Sequence, residues 1–130
     1  MTLTYYGHST HQIDLDGTSL LFDPFISDNP HCDGVLTPED VSPDVLLLTH
    51  AHTDHLDPAT LAALSARHPN LTYVVPAAET TLATERLVDT AQLRPVVSDD
   101  NVIIGSVTIT VFPSAHEDRK RNALGQDHYL

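Results

Sequence analysis

Four potential metal ligands are crowded into one short stretch of this chain, at His50, His52, Asp54 and His55. In an extended segment, residues i and i+2 project to the same side, so His50 and His52 can converge on one ion. Asp54 and His55 follow the bend and can reach a second ion. Imidazoles and a carboxylate suit Zn²⁺, our first expectation, with Mn or Fe as alternatives. The spacing therefore predicts two divalent metal ions that activate water.

A fifth candidate ligand, His116, stands near the other end of the chain and follows a β-prone apolar run. A catalytic zinc ion usually has three protein ligands and one open position. Both histidine groups come directly after a strand, and strand ends at a sheet edge are where α/β folds place their sites. We therefore predict that His116 joins His50 and His52 at the first ion.

The pattern of apolar residues predicts the strands that must position these ligands. Asp16-Gly17 is a strong hairpin turn signal, and Gly105-Ser106 is a second one. The run 45–48 is apolar throughout, which is typical of a strand buried on both faces. Strands are predicted at 3–6, 11–15, 19–22, 45–48, 72–75, 102–104 and 107–112.

Helix signals alternate with these strands. Asp57 has the chemistry of an N-cap and Pro58 that of a first helical residue, and Leu61, Ala62 and Leu64 form an apolar stripe. A second helix is predicted over 79–89, with Leu82, Ala83 and Leu87 facing inward, and a helical turn over 38–41 with Thr37 as its N-cap. This order of elements predicts an α/β or α+β fold with a mixed sheet.

Composition narrows the classes of function. The net charge of -12 repels nucleic-acid phosphates and anionic membranes, and we interpret the cluster 119–121 as a solvated basic loop. We therefore expect a small-molecule substrate and neither a nucleic-acid nor a membrane partner. Cys32 is the single cysteine, which predicts a free thiol in a loop. Without an apolar run of about 18 residues or a signal-peptide pattern, we predict a cytoplasmic location.

The motifs together resemble the metallo-β-lactamase superfamily. His50 to His55 matches its metal-binding signature, and Leu21-Phe22-Asp23-Pro24 is similar to its early strand that ends in aspartate. The opening Tyr6-Gly7-His8-Ser9-Thr10 and the stretch 23–30 resemble the ascorbate-6-phosphate-lactonase-like branch and a related group of metal-dependent hydrolases. The resemblance extends over nearly the whole chain.

This resemblance implies a four-layer αββα sandwich and a metal-dependent hydrolase. The reaction would use a metal-bound hydroxide on an ester, lactone or phosphodiester bond. By position, His50, His52 and His116 would bind the first metal. Asp54 and His55 would bind the second, and Asp54 would also act catalytically by orienting or deprotonating the water.

Two further residues of the resembling motifs are expected beside the metals. Asp23 would hold the metal-binding loop, although it could instead cap a turn. His8 would contact substrate or support a ligand, with a hydrogen-bonded structural histidine as the alternative. The remaining histidines are interpreted as structural or surface residues: His11, His31, His68 and His128.

Residues 1–130 resemble only the N-terminal part of the family's longer domain. The second half of that domain normally brings an aspartate that bridges both metals and a final histidine ligand. A half sandwich would expose a broad apolar face. Three explanations are open: a fragment of a longer protein, a truncated reading frame, or a chain that self-associates to rebuild two lobes.

Two rival functions remain open for a chain that resembles only part of the family's domain. The first is a catalytically incomplete half-domain that binds metal and acts as an interaction module. The second is a nuclease of the same superfamily, which the net charge of -12 disfavours.

Overall fold

The computed structural model describes residues 1–86, 92–116 and 118–130. Its main element is a mixed sheet of six strands that lie side by side in chain order. The first three strands pair antiparallel, and the third to sixth pair parallel. The strands are β1 (Thr2–Gly7), β2 (Thr10–Leu15), β3 (Thr18–Phe22), β4 (Val45–Leu47), β5 (Thr72–Pro76) and β6 (Leu93–Val96). A separate hairpin contains β7 (Asn101–Ile104) and β8 (Val107–Thr110).

Tight turns set the register of both hairpins. Asp16 and Gly17 connect β2 to β3 with φ values of 50° and 82°, and a type I′ turn requires positive φ at both central residues. Gly105 opens the turn between β7 and β8 with a φ of 59°. Both turns lie where the sequence predicts them.

The central strand β4 is buried on both faces, as its continuous apolar run predicts. Residues 45–48 are between 0% and 6% exposed. Leu46 and Leu48 belong to one core cluster, whereas Val45 and Leu47 belong to another. The alternation of side chains along the strand therefore supplies two separate hydrophobic layers.

Two helices pack on one face of this sheet. Helix α1 (Pro58–Arg67) buries Leu61 and Leu64 completely, but Ala62 is exposed, so its predicted place in the apolar stripe is wrong. Residue 62 lies about 100° around the helix from residue 61, which turns it toward solvent. Helix α2 (Thr80–Arg86) follows a 3₁₀ turn, Ala77–Glu79.

The predictions for the second half of the sheet and for α2 fit less well. Ala83 is buried as predicted, but Leu82 is 40% exposed, and the predicted inward position is wrong. Residues 87–89 of the predicted helix, with Leu87, lie outside the described residues. Strand β6 was not predicted because Pro95 interrupts its pattern. As the edge strand, β6 accommodates a proline that has no N–H to donate.

The β7–β8 hairpin covers the sheet face opposite the helices. Val107 and Val111 pack there against a cluster that includes Leu20, Leu47 and Val74. The broad apolar face expected of a half sandwich is therefore covered in part. Exposed apolar side chains remain on the hairpin and beyond it, at Ile103 (74%) and Phe112 (67%).

The long connection between β3 and β4 is ordered by small local motifs. Its 3₁₀ turn, Pro38–Asp40, begins after Thr37, whose N–H and hydroxyl both donate to the Asp40 carboxylate. Cys32 is a free, buried thiol in this loop, as predicted, and burial raises its pKa. Among the described residues, we find no helix with the length and hydrophobicity to cross a membrane.

We expect Asp57→Ala to destabilise the chain by at least about 2 kcal/mol, because it removes a helix cap and leaves buried donors unpaired. The fully buried Asp57 carboxylate accepts from the N–H groups of Ala59 (3.1 Å) and Asp28 (3.2 Å) and from the Thr60 hydroxyl (2.5 Å). Urea unfolding measures the loss. The exposed Asp33→Ala serves as the control, and equal stability of both variants would contradict the expectation.

Candidate metal centre

The predicted histidine ligands meet at one edge of the sheet. The ring centroid of His50 lies 4.5 Å from that of His52 and 4.0 Å from that of His55. His116 arrives from the loop after β8, with its ring 5.2 Å from His52 and 6.0 Å from His50. Two segments far apart in sequence therefore deliver four imidazoles to one cluster.

A hydrogen-bonded turn after β4 shapes the loop that carries His50 to His55. The N–H groups of His55 and Leu56 both donate to the carbonyl of His52, at 3.0 Å and 2.8 Å. Leu56 is 1% exposed and anchors the turn in the core. The chain therefore turns after His52 and brings the ring of His55 back to 4.0 Å from that of His50.

Asp23 connects the end of β3 to the end of β4. Its carboxylate is buried and accepts from the N–H of Thr49 at 2.8 Å and from the Thr49 hydroxyl at 2.7 Å. The same carboxylate lies 2.9 Å from Nδ1 of His55. Asp23 is thus placed to hold the loop that carries both pairs of candidate ligands.

His50 is the most enclosed of the candidate ligands. It is 6% exposed, and its Nδ1 lies 3.0 Å from the Thr49 hydroxyl. Burial, followed by the nearby His55 and His52, lowers its pKa from 6.5 to about 4. Its Nε2 is buried without a hydrogen-bond partner in the described part of the chain. A neutral imidazole with one supported and one free nitrogen is the form that binds metal ions.

Asp54 and His8 form the outer side of the cluster. Nε2 of His8 lies 3.3 Å from a carboxylate oxygen of Asp54, and both side chains are partly exposed. The His8 ring stands edge-on to that of His55, with centroids 5.3 Å apart. Potential ligand atoms of His8, Asp54 and His55 all lie within 4.8 Å of one another. The structure therefore brings all seven predicted site residues to one region.

Tyr129 belongs to this region, although no motif pointed to it. Its ring is buried, with centroids 5.2 Å from His50 and 6.1 Å from His116. Its carbonyl accepts from the N–H of Ser114 at 3.0 Å, and Leu130 donates to the carbonyl of Thr49 at 3.1 Å. Thr49 was also missed, and its place directly before His50 was its only signal.

Asp127 anchors the loop that carries His116 through several hydrogen bonds. Arg119 donates to both of its carboxylate oxygens, at 2.7 Å and 2.9 Å, and Arg121 and Ser98 donate at 3.1 Å and 2.6 Å. These bonds, led by that of Arg119, hold the pKa of Asp127 far below its usual value. Two cations of the predicted solvated basic loop are therefore engaged in ion pairs.

The other histidines have different surroundings. His11 stacks on Phe22 with ring centroids 4.4 Å apart, and His128 contacts the carboxylate of Glu79. A cleft of about 280 Å³ opens beside the cluster. Its walls include Asp23, Thr49, His50, His55, His116 and Tyr129.

We expect the metal-free chain to lose stability in acid because of His50. Its pKa is about 4 when folded and near 6.5 when unfolded, so the unfolded chain binds the extra proton between these values. The stabilisation is complete above pH 6.5 and is lost as the pH falls from 6.5 to about 4. Urea unfolding in a metal chelator should show a flatter pH dependence for His50→Gln and an unchanged one for the exposed His31→Gln. An unaltered slope in His50→Gln would contradict a buried neutral imidazole.

Comparison with known proteins identifies the family of this chain. A family model described as the β-lactamase superfamily domain matches residues 2–129. A UPF0173 metal-dependent hydrolase of Exiguobacterium sp. is 44% identical over 79 residues, which cover 56% of this chain and 34% of the relative. One from Salinibacter ruber is 51% identical over 69 residues, which cover 53% of this chain and 29% of the relative. The matched stretch is therefore about a third of each relative's length.

Solved structures show the same fold. Igni18, a metallo hydrolase from Ignicoccus hospitalis, superposes with a TM-score of 0.69 at 22% identity, covering 96% of this chain and 52% of that one. CmlA, a diiron β-hydroxylase from Streptomyces venezuelae, superposes with a TM-score of 0.68 at 21% identity, covering 96% of this chain and 26% of that one. From its fold and its matched residues, the chain belongs to the β-lactamase superfamily.

Proposed function

We propose that this chain supplies the metal centre of a hydrolase that cleaves an ester, lactone or phosphodiester bond in a small molecule. The observation that carries the proposal is the Nε2 atom of His50, which is buried, neutral and without a partner in the described chain. An unpaired buried nitrogen is costly unless something binds it. Two neighbouring imidazoles make a divalent metal the partner that fits.

The candidate metal ligands form two groups. The ring centroids of His50, His52 and His116 lie between 4.5 Å and 6.0 Å apart, and three imidazoles are the usual protein share of a catalytic zinc site. Asp54 and His55 offer a carboxylate and an imidazole beside it. We propose two divalent ions, with Zn²⁺ first and Mn or Fe as alternatives, since these donors suit all three.

Metal ions bound there would polarise the scissile bond and make water acidic enough to react near neutral pH. The protein's own groups would orient that chemistry. The carboxylate of Asp54 is 45% exposed, so water can reach it, and it can accept a proton. Asp23 and Thr49 would keep His50 and His55 in place, because the hydrogen bonds between Thr49, Asp23 and His50 hold the start of the loop.

The charge of the chain favours a small substrate over a nucleic acid. The net charge is -12, and Arg119 and Arg121 are both paired with Asp127. A nuclease needs a free basic stripe to follow phosphates. We therefore propose neither a nucleic-acid nor a membrane partner, and a cytoplasmic location remains part of the proposal.

A second candidate is a metal-binding half-domain that works through a partner or a further lobe. The length of the relatives favours it, because the matched stretches cover only 34% and 29% of two of them. Self-association would be one way to complete the cleft. Turnover by the isolated chain separates this candidate from the first.

Metal content should separate ligand histidines from the rest. We expect His52→Ala to lose the first-site metal, because one of three converging imidazoles is removed. His128→Ala should keep full metal content, since His128 contacts Glu79 instead. Equilibrium dialysis followed by elemental analysis measures both. Unchanged metal content in His52→Ala would refute the assignment.

Hydrolysis of p-nitrophenyl acetate, a simple lactone and bis(p-nitrophenyl) phosphate tests the activity. We expect turnover of at least one substrate by the metal-loaded chain and its loss in EDTA. Asp54→Asn should lower kcat by about 100-fold or more, because the amide cannot take up a proton. Asp33→Asn, on an exposed loop, is the matched control. Equal rates for both variants would mean that Asp54 is not catalytic.

A further inference from the structure

His8 occupies a backbone conformation that few histidines adopt. Its φ is 50°, in the left-handed region, and it follows Gly7, whose φ is 105°. The pairing of β1 with β2 shifts register between Tyr5 and Gly7, so the strand bulges just before His8. Backbone strain of this kind persists where the surrounding structure enforces it, and it is concentrated at functional sites.

The bulge directs the imidazole toward the metal centre. The His8 ring is flanked by Phe25 and His55, with centroids 5.5 Å and 5.3 Å away and both rings edge-on. Its carbonyl is held by the Tyr5 hydroxyl at 3.1 Å. The strained turn therefore places one nitrogen, Nε2, at 3.3 Å from the Asp54 carboxylate.

This separation suits two ligands of one ion. Donors about 2.1 Å from a tetrahedral zinc ion stand about 3.4 Å apart, which agrees with the His8–Asp54 distance. His55 lies within the same group, because potential ligand atoms of all three residues are within 4.8 Å of one another. His8 therefore lies close to both candidate ligands of the second ion.

We propose that His8 is a ligand of the second metal, through Nε2, together with Asp54 and His55. The inference rests on the proposed function, since it assigns a further ligand to the same centre. With His8 included, the chain offers three protein ligands to each of two ions. The turn between β1 and β2 then becomes a metal-binding loop in its own right.

Cobalt titration of the metal-free full chain tests this assignment. Wild type should bind two equivalents of Co²⁺. His8→Asn should bind the second more than about 100-fold more weakly, beyond the roughly 10–100-fold cost of losing a supporting residue, while the first is unchanged. Asparagine tolerates the left-handed backbone, so the turn should survive. His8→Gly repeats the test with glycine, the residue that adopts positive φ most readily. His31→Asn, on an exposed loop, should behave as wild type.

Proton NMR of the Co²⁺-loaded chain distinguishes a ligand from a supporting residue. A coordinated His8 gives hyperfine-shifted ring signals that disappear in His8→Asn. Two equivalents bound with wild-type affinity in both His8 variants would overturn the inference and leave the proposed function standing. Absence of Co²⁺ binding by wild type would overturn the proposed function itself.

Discussion

The site depends on one buried carboxylate. Asp23 is 3% exposed and receives two hydrogen bonds from Thr49, the residue directly before the histidine cluster. These bonds join the end of β3 to the end of β4. Burial of a carboxylate is unfavourable unless hydrogen bonds or charges compensate it, so these contacts must form together. Because Thr49 also supports His50, and Asp23 lies against His55, one residue orders both halves of the loop that carries the candidate ligands.

The surrounding fold makes that arrangement rigid. β4 is buried on both faces and ends where the loop begins, so its end cannot shift without disturbing two cores. The loop of His116 is fixed through the ion pairs of Asp127 and its bond to Ser98, and residues 129–130 link it to Thr49. The strained turn at His8 forms the third side of the cleft. Three anchored segments thus meet at one cleft.

Local patterns in the sequence predicted much of this arrangement. The spacing from His50 to His55, the cap at Asp57 and the turn at Asp16-Gly17 are encoded by neighbouring residues, and the structure has the loop, helix and hairpin there. Tyr129, the Asp127 ion pairs and strand β6 depend on contacts between segments far apart in the chain. Their residue types are common in loops and edge strands, so the sequence does not indicate these contacts and only the folded chain shows them.

We propose that this chain holds two metal ions with its own side chains. Elemental mass spectrometry of the purified full chain, after incubation with Zn²⁺ and removal of loosely bound metal, measures the ratio directly. A centre with three ligands at each position predicts two ions per chain. A ratio of one or zero would contradict it, because the side chains gathered at the sheet edge would then be insufficient to hold the pair.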